Sequence, residues 1–149
     1  MKASETKEPD WLEFARDELA RGVEEVPGPE ANPRILWYDS ATSLKATSDE
    51  VPWCSAFACA CMEAMGYESP QSAAARSWLK WGQVLDAPRI GCIVVFSRGA
   101  SPTAGHVGFV VGETEHTLDV LGGNQGDRVS IATFLKDHVL GYRWPAGQM

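Results

Sequence analysis

The sequence has no long apolar run, no basic stripe, no internal repeat and little histidine. Its longest apolar stretch, Ala56 to Met62, is far too short to cross a bilayer, so no membrane insertion is expected. Net charge is −7, from 13 basic and 20 acidic residues. That balance, without any aromatic-plus-arginine platform, argues against a nucleic-acid partner. It also argues against an electrostatic grip on anionic surfaces. Met1 to Asp10 is polar and charged and lacks the apolar core of a signal peptide, so no export leader is expected. Of the 4 cysteines, Cys59 and Cys61 lack zinc-knuckle or thioredoxin-type spacing, and no second Cys/His cluster completes a metal site. No metal, no cofactor and no framework disulfide are expected, and Cys59, Cys61 and Cys92 read as small core residues.

What is present suits one domain over 1–149. At 149 residues, with 44% apolar and 22% charged residues, the chain can bury a proper core. Residues 1–9 read as a loose lead-in. Trp11, Leu12, Phe14, Ala15, Leu19 and Ala20 recur at helical spacing, which predicts a helix over about 10–21 ended by Gly22. Asn32-Pro33 predicts a capped second helix over roughly 33–42. Val26 to Pro29 reads as a turn, and 43–51 as a polar loop. Ser72 opens a short helix over 73–81 ended by Gly82. From Ile90 the texture is β: strands are predicted over 90–97, 106–112, 117–121, 128–131 and 139–144. Helices first, then strands with short connections, predict an α+β fold with helices packed on an antiparallel sheet of about five strands.

The chain is organised around Pro52-Trp53-Cys54-Ser55-Ala56-Phe57. Pro52 suits a first helical turn, and Asp49 and Glu50 suit the positive end of the helix dipole. No Gly or Pro follows until Gly66, so a buried helix starts at Cys54. A thiol there faces free backbone N–H groups, which favour the thiolate. A lone cysteine in an apolar helix is ordinarily core, so the downstream chain has to supply partners.

It does. His106 opens a strand after a glycine-containing loop, and Asn124 follows Gly122-Gly123 at the end of the next. Pairing those strands through the 113–116 turn makes His106 and Asn124 neighbours at one sheet edge. An imidazole that takes the thiol proton, oriented by a neutral amide, is the equipment of cysteine hydrolysis. His116, in the turn, and His138, in a polar segment, read as solvated.

Together, Pro52-Trp-Cys-Ser-Ala-Phe, Arg89-Ile-Gly-Cys-Ile-Val-Val-Phe, Gly105-His-Val-Gly-Phe-Val-Val-Gly and Leu121-Gly-Gly-Asn-Gln resemble papain-fold peptidoglycan hydrolases of the NlpC and CHAP types. The resemblance covers about 30–145, and its Pro-Trp-Cys-Ser and Gly-Gly-Asn-Gln motifs resemble a subgroup among phage lysis proteins and type VI secretion effectors. It implies Cys54 as nucleophile, His106 as base and Asn124 as orienting residue. Gly122 stands where many CHAP enzymes carry a glutamate, and Cys92 where an aspartate is common.

The implied activity is cleavage of amide bonds in wall peptidoglycan through a thioester, as stem-peptide endopeptidase or N-acetylmuramoyl-L-alanine amidase. Trp53, Ser55 and Gln125 are expected along the substrate cleft, with Tyr38 as candidate second oxyanion donor beside the N–H of Cys54. Arg76 and Trp78 could edge the cleft, though tryptophans packed in the core and a solvated Arg76 are the more ordinary reading. A monomer is expected, made in the cytoplasm without an export signal and acting in the periplasm or cell wall of a target or host cell. Secretion or lysis machinery and a neutralising immunity protein are the expected partners. The competing readings are an inactive module that binds wall peptide or a partner, and a papain-like protease or deamidase acting on proteins.

Overall fold

The computed structural model describes residues 8–25, 32–42, 53–102 and 104–147. Helix α1 spans Asp10–Ala20, α2 Pro33–Asp39 and α3 Cys54–Ala64, and a 3-10 helix covers Ala75–Lys80. Six strands follow: β1 Gln83–Leu85, β2 Ile93–Ser97, β3 Gly105–Glu113, β4 Thr117–Gly122, β5 Ser130–Leu135 and β6 Val139–Trp144, with a 3-10 turn at Lys136–His138. They form one antiparallel sheet in the order β1-β6-β2-β3-β4-β5.

The α+β architecture matches the sequence reading, with four local differences. The strand Gln83–Leu85 pairs with β6 and makes the sheet six-stranded. At three residues it is too short to show an alternation. The second helix stops at Asp39, although Asn32 caps it as expected by accepting from the N–H of Arg34 at 2.8 Å. The 73–81 helix is a 3-10 turn preceded by extended Ala74. The fourth predicted strand runs on to Leu135, because its outer residues are held by the β4 ladder rather than by their own pattern. The turn at 26–29, the loop at 43–51 and the placement of Asp49, Glu50 and Pro52 lie outside the described residues.

The core sits between the helices and the sheet. Helix α3 is buried on every side from Cys54 to Met62, as its apolar sequence requires. Phe57 meets Phe109 of β3 edge to face at 6.3 Å. A polar cluster ties α1 to α2: Glu18, buried, takes both nitrogens of Arg34 at 2.7 and 2.6 Å and the hydroxyl of Tyr38 at 2.7 Å. Cys54, Cys59, Cys61 and Cys92 are all buried free thiols.

Candidate active site

Cys54 is the first residue of α3. Trp53 precedes it in a non-helical conformation with no side-chain cap, so the N–H groups of the first turn have no intrahelical partner. Trp53 is seated by glycine: a Cβ on Gly123 would lie 2.7 Å from both the Trp53 ring and Phe57. The start of α3 therefore lies directly against the end of β4.

Backbone polarity around the Cys54 thiol opposes its burial. The N–H groups of Val107, Ser55 and Cys54 itself bear on it and favour the thiolate, as does the charge of Arg98. Burial outweighs them and pushes the thiol pKa above the ordinary range. The helix start thus supplies the donors expected from sequence, while the closed surroundings reverse the expected sign.

His106 sits in β3, next to Val107. Its ring lies roughly parallel to those of Phe134 at 5.2 Å and Phe96 at 6.4 Å. Burial pulls its pKa below the usual histidine value, the Gln125 hydrogen bond works the other way, and Arg98 adds to the lowering. At neutral pH the imidazole is uncharged.

The partner of His106 is Gln125. His106 Nε2 lies 2.8 Å from Gln125 Oε1, while Gln125 Nε2 donates to the carbonyls of Val120 at 3.0 Å and Ser130 at 2.8 Å. Two carbonyls fix which end of the amide is nitrogen. Oε1 is then the acceptor, Nε2 of His106 carries the proton, and Nδ1 keeps the basic lone pair. Gly122 makes room for this arrangement, since a Cβ there would lie 2.5 Å from Gln125 Oε1.

Asn124 borders the cavity beside His106, while the hydrogen bond to the ring comes from its neighbour Gln125. The β3–β4 register, Phe109 against Leu121, does carry position 106 opposite 124. The strand has ended by then, and Asn124 has a left-handed φ of 58°. That turn sends the next side chain, Gln125, inward to the imidazole.

The other expected cleft residues have partners within the fold. Tyr38 is buried and its hydroxyl is committed to Glu18, so it is no oxyanion donor. Trp53 is buried and donates to Glu25 at 2.9 Å. Ser55 donates to the carbonyl of Ser72 at 2.6 Å and accepts from Trp78 Nε1 at 2.9 Å, so both anchor the start of α3. Arg76 is tied to the carbonyls of Ala104 at 2.7 Å and Ser101 at 2.8 Å, which holds the β2–β3 loop. Phe134 and Arg98 were missed. Neither lies in a segment that carries a motif, and the sequence around Phe134 has no clean alternation to mark its half-buried face.

A cavity of about 670 Å³ opens beside His106. Phe96, Phe134 and Ala132 give it apolar walls, with Arg98, Asn124 and His138 around it. His138 is exposed, as expected, yet it borders this cavity; His116 is exposed in the β3–β4 turn. Cys54 does not line the cavity. No hydrogen bond joins its thiol to the His106 ring. Among the described residues no group of three or more His, Cys, Asp or Glu is placed to hold a metal ion.

Residues 46–124 match the CHAP domain family, more than half of the 149-residue chain. The chain belongs to the CHAP domain family. The activity class of that family is cysteine-dependent hydrolysis of peptidoglycan, as peptidase or amidase. No curated protein matches the chain. No helix among the described residues is long and apolar enough to cross a membrane.

Proposed function

We propose that the protein hydrolyses an amide bond of the wall stem peptide with Cys54 as nucleophile, His106 as base and Gln125 as the residue that positions the imidazole. The observation that carries this reading is the fixed amide of Gln125, which leaves His106 Nδ1 as the basic nitrogen, one residue before Val107, whose N–H favours the Cys54 thiolate. Catalytic hydrogen bonds often tighten only when substrate binds. The Cys54 proton passes to Nδ1, and sulfur attacks the amide carbon. The N–H of Cys54 stabilises the resulting oxyanion. The C–N bond breaks as Nδ1 returns its proton to the leaving amine. Water then cleaves the thioester, with His106 as base again.

Purified sacculi test the reading. Soluble fragments with new termini, identified by mass spectrometry and absent with Cys54→Ala, support it. A second reading, a wall-peptide binding module without turnover, draws on the buried, protonated state of Cys54. It predicts sacculus binding without release. For biology, we favour an effector or phage lysin acting in the periplasm, delivered by secretion or lysis machinery, with an immunity protein in the effector case. Expression in a Gram-negative host should be toxic only with a grafted periplasmic signal and only with Cys54 intact. Toxicity in the cytoplasm would instead favour a protein substrate.

A further inference from the structure

We infer that the cavity beside His106 is the leaving-group subsite and that Arg98 selects substrates whose leaving amine carries a carboxylate. This rests on the hydrolase reading and extends it to specificity. In thiol hydrolysis the imidazole returns its proton to the departing nitrogen, so the leaving group lies on the imidazole side of the scissile bond. The cavity is lined by His106 and not by Cys54, which places it on that side. Its volume of about 670 Å³ admits a segment of small-molecule size.

The chemistry of the walls is one-sided. Among the described residues no carboxylate lines the cavity, although acidic residues outnumber basic ones by 20 to 13 in the chain. Arg98, at its wall, makes no hydrogen bond and no ion pair with any described residue. The neighbouring arginine differs: Arg76 is bound to loop carbonyls at both ends of its fork. By that tie Arg76 steadies the loop from which Arg98 projects. The charge of Arg98 bears on both Cys54 and His106, so the guanidinium stands near the reacting atoms. A carboxylate on the leaving residue can therefore meet it while the apolar side of that residue rests on Phe134 and Ala132. A guanidinium fork suits a carboxylate better than an ammonium does.

The test uses muropeptides freed from sacculi by a muramidase, and the same pool with carboxylates converted to carboxamides by carbodiimide and ammonia. Wild-type protein should cleave the carboxylate pool with kcat/KM about tenfold or more higher, the scale of one charge-assisted hydrogen bond. Arg98→Gln should bring that ratio close to one, and Arg98→Lys should restore part of it. A wild-type ratio near one, or a ratio unchanged in Arg98→Gln, overturns the inference. Calorimetric titration of the Cys54→Ala protein gives a readout without turnover. It should show the same carboxylate preference, lost when Arg98→Gln is added; equal affinities overturn the inference. Failure of the hydrolase reading looks different: no Cys54-dependent release from sacculi, whatever the pools show.

Discussion

Gln125 and His106 are joined by a single 2.8 Å hydrogen bond whose direction is set elsewhere. The amide nitrogen of Gln125 is held by Val120 and Ser130, so only its oxygen can face the ring. Gln125→Ala should therefore lower kcat/KM about 10–100-fold, the cost of leaving a buried donor unpaired and the imidazole unoriented. Asn124→Ala should cost much less. Fragment release from sacculi measures both, and a greater loss from Asn124→Ala would return the orienting role to that residue.

Phe134 holds the His106 ring from one side, and Phe96 packs near both rings, 4.7 Å from Phe134 and 6.4 Å from His106. Phe134→Ala should lower kcat by up to about tenfold, matching the roughly 0.5–1.5 kcal/mol of an aromatic contact. It also admits water to the ring, so the acid limb of the pH–rate profile should move upward. A profile that stays in place while kcat falls would mean that Phe134 acts only on stability.

The pH profile itself follows from burial. His106 is pulled below the ordinary imidazole value of 6.5, chiefly by burial, and the neutral imidazole is the competent base. Activity should persist below pH 6.5 and fall only as pH drops through the lowered value. Arg98→Gln removes a charge that opposes imidazole protonation, so its acid limb should lie higher. Cys54, raised by burial, should alkylate slowly at neutral pH, yet ahead of the other three thiols. Cys61 is pushed up more strongly and Cys92 to about 12, without an adjacent base. Mass mapping after brief iodoacetamide treatment checks the order; prior labelling of Cys59, Cys61 or Cys92 would contradict the site.

Glu18 carries the stability of the α1–α2 contact. Glu18→Gln leaves Arg34 without its counter-ion and should cost roughly 2–3 kcal/mol, below the 3–5 of a fully buried pair because Arg34 reaches solvent. The hydrogen bonds from Arg34 and Tyr38 outweigh burial and lower the Glu18 pKa from 4.5. Its stabilisation is complete above 4.5, the unfolded value, and is lost as pH falls through the lowered folded value. Urea midpoints at neutral and acid pH should show the wild-type advantage only at the former.

Gly123→Ala places a methyl 2.7 Å from Phe57 and the Trp53 ring. Overpacking should destabilise by about 1–3 kcal/mol and displace the start of α3. Activity should fall further than the melting shift explains, because Cys54 moves with it. Unchanged activity in the folded variant would mean that this contact does not position the thiol.

The sequence by itself determined the helix that starts at Cys54, the strand that brings His106, and the antiparallel order in which they meet. These are local facts: an unbroken apolar run, a β-branched run, and connections too short for a crossover. Register arithmetic also carried position 124 to the right sheet edge. Tertiary structure alone decided the rest. One left-handed residue at Asn124 exchanged its side chain for that of Gln125, and no spacing rule reveals the sign of a φ angle. Tyr38, Trp53, Ser55, Trp78 and Arg76 are polar or aromatic in just the way cleft residues are, but their partners lie 17 to 28 residues away and make them structural. The ionisation of Cys54 followed the same division. The helix start that favours thiolate is written in the sequence, whereas the burial that overrides it arises only when α3, β3 and the end of β4 close around the sulfur.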